Sequence, residues 1–150
     1  SGIRLEEDSE TPIMLLHEPD TSRFLPIWIG TIEAVSIAYA QEGFVHPRPQ
    51  THDLLIDIVE SLNATISEVC ITEIKDKTYF AEITLNTMEG NVTLSSRPSD
   101  AIALAIRSNS KITVNQDLFY QNSIVLIDEN NEEIKEFIEF IDDISPDDFM

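Results

Sequence analysis

The chain has 150 residues, 42% of them hydrophobic, with four glycines, one cysteine and a net charge of −19. That size and composition specify one domain with a real core and exclude a disordered chain. No apolar run approaches the roughly 20 residues of a membrane span, and the charge opposes non-specific binding to nucleic acid or anionic membranes, because phosphate contacts need cationic groups.

The charge is unevenly spread. Asp128 to Met150 carries ten acids and one base (Lys135), giving −9, whereas the first 127 residues carry eighteen acids and eight bases, giving −10. The sequence therefore divides into a domain over 1–127 and an acidic C-terminal helix and tail over 128–150. The tail's plain reading is a solubilising surface. A single cysteine forbids an intramolecular disulfide and fits a reducing, cytoplasmic setting. Cys70 lies in the apolar run VCIT and reads as a buried, inert thiol. No charged-then-apolar signal segment opens the chain, and SGIRL reads as a trimmed start.

In chain order, Ile3–Leu5 and Ile13–His17 read as short strands around an acidic loop, EEDSETP. FLPIWIG at 24–30 reads as a buried or edge strand, which Pro26 demotes to an edge or irregular position. Its many large apolar groups predict self-association, hence a homo-oligomer. TIEAVSIAYAQEG follows as a helix, with Ala34, Ile37, Ala38 and Gln41 on neighbouring turns and Gly43 as its stop. THDLLIDIVESLN is an amphipathic helix with Thr51 as N-cap, Asp53 in the first turn, and Leu54, Leu55, Ile58, Val59 and Leu62 on its apolar face. TISEVCITEI, TYFAEITL and VTLS form a three-stranded meander over about 65–95, turning at KDK and MEGN. RPSDAIALAIR is a nearly all-apolar helix with Pro98 in its first turn, buried on most sides. KITVN is a short strand, DLFYQNSIVLI has mixed character, and EEIKEFIEFIDDI is an amphipathic helix. The expected fold is α+β: a meander, two or three core helices and an acidic terminal helix.

The sequence contains no GxGxxG, HExxH, GxSxG, paired CxxC or Walker-type GxxxxGK, and four glycines leave little room for a Gly-rich cofactor loop. What remains is a set of polar residues in apolar surroundings. Glu33 lies one turn into the first helix. Arg48, His52 and Asp53 head the second, and Arg97, Ser99 and Asp100 head the third. Two helix starts beside arginines can bind an anion: free N–H groups and the positive dipole end favour phosphate, and a guanidinium clamps it. Glu33, Asp53 and Asp100, with His52, offer ligands for a divalent metal, Mg²⁺ or Mn²⁺. Arginines for phosphate and carboxylates for metal make up the kit of metal-assisted phosphodiester hydrolysis, with His52 as general base or acid. In that reading Arg48 and Arg97 face phosphate while Glu33, Asp53 and Asp100 hold metal. The alternative makes Asp53 and Asp100 complements of helix dipoles, Arg48 and Arg97 ion-pair partners of these carboxylates or of Glu33, and His52 a satisfied boundary histidine. Trp28 reads as a core or interface aromatic.

PIMLLHE, FLPIWIG, the EA of the first helix, RPQTHDLL and above all RPSDAIALAIR resemble the bifunctional nuclease family, over about Pro12 to Val114. The ending EEIKEFIEFIDDISPDDF is similar to the acidic tail of actinobacterial, and so bacterial, members. The resemblance implies a compact α+β domain, homo-oligomers, and a nuclease acting on RNA and DNA without marked sequence preference. The residues at the family's polar motif positions are Glu33, Arg48, Thr51, His52, Asp53, Arg97, Ser99, Asp100 and Arg107. Thr51, Ser99 and Arg107 join Arg48 and Arg97 as expected phosphate contacts. The competing function is a non-enzymatic interaction module, with a structural Arg/Asp network and an acidic partner-binding tail.

Overall fold

The computed structural model describes residues 2–8 and 11–125. The expected acidic helix and tail over 128–150 lie outside the described residues. The elements run β1 (Ile3–Asp8), β2 (Thr11–His17), β3 (Arg23–Trp28), α1 (Thr31–Gln41), α2 (Thr51–Ser61), β4 (Thr65–Lys75), β5 (Thr78–Thr87), β6 (Gly90–Ser96), α3 (Pro98–Ser108), β7 (Lys111–Val114), α4 (Gln116–Asn122) and β8 (Ile124–Val125). They form an α+β fold with two four-stranded sheets, ordered β1-β2-β3-β8 and β6-β5-β4-β7.

The expected meander is β4-β5-β6, paired antiparallel from Thr65↔Asn86 and Ala81↔Ser96. Its first turn holds Asp76 and Lys77 at φ 52° and 64°, the left-handed pair whose twist suits a two-residue hairpin. KITV becomes β7, parallel to β4. A parallel neighbour needs a crossover, and α3 is its helix.

The other sheet corrects two expectations. The acidic loop is shorter than EEDSETP, because Glu6, Glu7 and Asp8 pair with Ile13, Pro12 and Thr11. FLPIWIG was expected at an edge or irregular position with its apolar groups exposed, yet β3 pairs with β2 along its length and with β8 at one end. β8 reaches only Arg23 and Phe24, so Pro26, which has no N–H to donate, lies beyond that ladder. Phe24, Leu25, Ile27 and Ile29 are buried and only Trp28 is largely exposed. Alternation explains this: Met14, Leu16, Leu25 and Ile27 join the main core, while Ile13, Leu15 and Phe24 form a second cluster. The reason for placing self-association on this segment therefore fails.

α3 is the centre of the core, as its sequence predicts. Ala101, Ile102, Ala103, Leu104 and Ala105 are all buried, and the alanines let α1 pack close on one side while β4 and β5 pack on another. Arg97 is the N-cap, Pro98 is the first helical residue, and Asn109 closes the helix at φ 53°. α2 departs from expectation. Of the predicted apolar face, Leu54, Leu55, Ile58 and Leu62 are 40–73% exposed and Val59 is half-buried, and His52 is the helix's one buried residue. α3 already fills the layer against the sheet, so α2 rests on its flank. The α2 N-cap is Gln50 rather than Thr51.

Candidate active site

Each of three helices carries a carboxylate at its third residue: Glu33 on α1, Asp53 on α2 and Asp100 on α3. A negative charge there complements the positive end of the helix dipole. Asp53 also accepts the backbone N–H of Gln50 at 3.0 Å, which fixes the start of α2. The helix starts meet as the paired Arg-Pro motifs suggest, because His52 Nε2 lies 2.9 Å from Asp100 Oδ1.

Arg97 ties α3 to α1. Its Nε donates to Asp100 Oδ2 at 2.9 Å, its Nη2 to Asp100 Oδ1 at 3.2 Å and its Nη1 to Glu33 Oε1 at 2.8 Å. The side chain is 64% exposed. A guanidinium has five N–H groups, so two remain for a ligand. Gly30 precedes α1, and a Cβ there would collide with the Glu33 carboxylate. Glycine at this cap leaves room for Glu33 to reach Arg97.

Arg107 has the opposite character. It is 11% exposed, and its Nε, Nη1 and Nη2 donate to Asp53 Oδ1 (2.7 Å), Ala103 O (2.9 Å) and Ser36 O (3.1 Å). It locks α1, α2 and α3 together. Burial pushes the Asp53 carboxyl up, but the hydrogen bonds from Arg107 and Gln50 and the Arg107 charge outweigh it and hold the group below its ordinary value. Asp100 behaves alike: burial raises it, while hydrogen bonds from Arg97 and His52 lower it further. Both carboxylates are ionised at neutral pH.

The remaining expected phosphate contacts divide. Thr51 lines the same cavity as His52, Arg97 and Asp100. Ser99 is buried and lines a neighbouring cavity of about 420 Å³ with Trp28 and Arg97. Arg48 is exposed, and its carbonyl accepts from the Gln50 side chain at 3.3 Å. It does not line the cavity that holds the network.

Among the described residues no three His, Cys, Asp or Glu side chains come together in a metal-holding group. Asp53 is engaged by Arg107, and Glu33 and Asp100 share Arg97. Guanidinium groups thus already supply the positive charge that a dication would bring. As arranged, the Glu33, Asp53 and Asp100 set does not fit a metal.

The network faces a cavity of about 260 Å³, lined among others by Ser36, Tyr39, His46, His52, Arg97 and Asp100. Ser36 was missed at the sequence level. Its hydroxyl lies 2.6 Å from His52 Nδ1. The available signal was a lone serine in AVSIAYA, three residues after Glu33, where helical spacing puts neighbours on one face. A wider cavity, about 600 Å³, lies elsewhere, among Leu16, Ile106, Ile112 and Phe119, and holds none of the predicted site residues. No helix among the described residues is long and apolar enough to cross a membrane.

Comparison with known proteins falls on the same segments. Residues 14–126 match the Bifunctional nuclease domain. The chain is similar to an uncharacterized protein of Mycobacterium tuberculosis, 38% identical over 157 residues that cover 99% of this chain and 94% of that protein. It is also similar to Bifunctional nuclease 2 of Arabidopsis thaliana, 30% identical over 119 residues, and to Bifunctional nuclease 1 of Oryza sativa subsp. japonica, 26% identical over 118. These alignments cover 77% of this chain but only 36% of each plant protein. All three helix starts lie inside the matched span, and the chain belongs to the bifunctional nuclease domain family.

Proposed function

We propose that this chain is a nuclease that hydrolyses phosphodiester bonds in RNA, DNA or both, with little sequence preference, and that the cavity between α1, α2 and α3 is its active site. One observation carries the placement. His52, Asp100, Arg97 and Glu33, drawn from three separate helices, meet in one hydrogen-bonded network at a solvent-reachable cavity. Arg97 is its exposed cation and retains two N–H groups for a phosphate oxygen. The family relationship to plant proteins named bifunctional nucleases supports the chemistry.

The net charge of −19 works against tight nucleic-acid binding. A weak, salt-sensitive substrate encounter governed by Arg97 follows. The test is binding and cleavage of labelled single-stranded RNA and double-stranded DNA across a salt series, with Mg²⁺, with Mn²⁺ and with EDTA. The expected result is cleavage that declines as salt rises and is lost with Arg97→Ala. Cleavage that Arg97→Ala leaves intact would refute the role given to Arg97. The metal arms decide whether a divalent ion is needed, since the carboxylates as arranged do not form its ligand set.

A second reading has its own support. No buried side-chain polar atom among the described residues lacks a partner, and α2 exposes the apolar stripe of Leu54, Leu55, Ile58 and Leu62. Both suit a non-enzymatic interaction module with a structural Arg/Asp network. That stripe, with Trp28, is also where homo-oligomer formation is now proposed. Monomeric light scattering at micromolar concentration would refute the oligomer. Retention of basic proteins without any cleavage would favour the module.

A further inference from the structure

We infer that Ser36 is the nucleophile of this site, activated by His52 and positioned through Asp100. The step rests on the nuclease reading for its substrate, a phosphodiester, but not for the reactivity of the serine.

The geometry leaves His52 few alternatives. The side chain is 9% exposed and both ring nitrogens are engaged. An ionised carboxylate only accepts hydrogen bonds, so Nε2 carries the proton given to Asp100. Nδ1 is then the basic nitrogen, and it faces the Ser36 hydroxyl at 2.6 Å. A general base so placed can take a proton from Ser36 and from whatever later occupies that position. Asp100 is fixed in turn by two hydrogen bonds from Arg97. Nucleophile, base and orienting carboxylate therefore form an ordered chain, the arrangement that activates a hydroxyl. The Ser36 side chain is also unusual for a residue inside a helix. Such a serine commonly points to solvent or turns its hydroxyl back to the carbonyl one turn earlier. Here it points across to α2, while its own carbonyl is held by Arg107 at 3.1 Å. Ser36 is half-buried and lines the cavity that Arg97 also lines.

The chemistry balances with water alone. Ser36 Oγ forms a bond to phosphorus, its proton passes to His52 Nδ1, and the bond from phosphorus to one nucleoside oxygen breaks. His52 loses the proton to water, and the departing oxygen takes one from water. A water molecule then attacks the phosphoserine diester with His52 accepting its proton. The bond from phosphorus to Oγ breaks, Oγ recovers a proton, and a phosphate monoester leaves.

The probe is a fluorophosphonate, which transfers its phosphonyl group to an activated hydroxyl and releases fluoride. The intact chain is labelled and mapped by mass spectrometry, with Ser36→Ala and Asp100→Asn alongside and thermal melts to show that each is folded. The expected result is one adduct, on Ser36, absent from Ser36→Ala and formed about a hundredfold or more slower in Asp100→Asn. In parallel, Ser36→Ala should lower phosphodiester cleavage on the order of a thousandfold or more. Absence of any label on Ser36 in the folded protein overturns the proposal. Undiminished cleavage by Ser36→Ala also overturns it and leaves the nuclease reading standing. Labelling of Ser36 in a protein that cleaves neither RNA nor DNA upholds the activated serine and overturns the nuclease reading instead.

Discussion

Replacing Arg107 with alanine should destabilise the fold more than any other single change to the charged network. The guanidinium is 11% exposed and makes three hydrogen bonds of 2.7–3.1 Å, to Asp53, Ala103 O and Ser36 O. Hydrogen bonds to charged groups are each worth about 1.5–3 kcal/mol, but they do not sum when one side chain makes all three. Removing one partner of a buried ion pair costs about 3–5 kcal/mol, chiefly because the other charge is left unpaired. Asp53 is 33% exposed and can rehydrate, which lowers the expected loss to about 2–4 kcal/mol. For a chain of this size that is a fall in Tm of roughly 6–12 °C. Urea unfolding followed by circular dichroism measures it. Arg107→Lys is the discriminating control: one ammonium cannot serve three acceptors set in a fork, so it should recover less than about half of the loss. A change within about 0.5 kcal/mol for Arg107→Ala, or full recovery by lysine, would refute the view that this side chain locks the three helices.

Ile102 is fully buried on α3, and Ile102→Ala should cost about 2–5 kcal/mol in the same assay, from lost transfer energy and the cavity left behind; a loss under about 1 kcal/mol would show that the α3 layer is loosely packed. The pH dependence has a definite sign. Asp53 and Asp100 lie below the ordinary carboxylate value when folded, so their stabilisation is complete above about pH 4 and is lost as pH falls through the lower folded values. Stability should decline in acid with a smaller slope in Asp100→Asn, and an unchanged slope would remove Asp100 from the account. Lys77 holds φ 64° in the first meander turn, and Lys77→Gly should stabilise by about 0.5–1 kcal/mol because glycine adopts that conformation without strain; destabilisation would contradict the turn geometry.

The legible parts of the fold were those with a strong local signal. Alternation and turn residues marked β4-β5-β6, and Pro98, Asp100 and the unbroken apolar run marked α3 as the core helix. The α2 stripe misled because periodicity reports an apolar face but not what covers it, and α3 already occupied the layer against the sheet. DLFYQNSIVLI resisted assignment because a seven-residue helix and a two-residue strand share it, each too short for its period to repeat. At the site, the two Arg-Pro helix starts correctly signalled a junction, and the ion-pair alternative for Arg97 with Asp100 and Glu33 is the arrangement found. Arg48 does not line the cavity, whereas Arg107 does and also clamps the three helices. Spacing identifies helix starts but cannot say which carboxylate each guanidinium will choose. Ser36 escaped notice because its partner, His52, is sixteen residues away on another helix.

The most direct test of the central claim is cleavage of labelled RNA and DNA by the wild-type chain and by a folded Asp100→Ala variant, assayed side by side. Asp100 joins both His52 and Arg97, so its removal should abolish turnover while leaving the core of α3 intact. Cleavage by the wild type that vanishes in the variant places a nuclease site at the junction of the three helices. Equal cleavage by both proteins would contradict that placement, and no cleavage by either would leave the network as architecture.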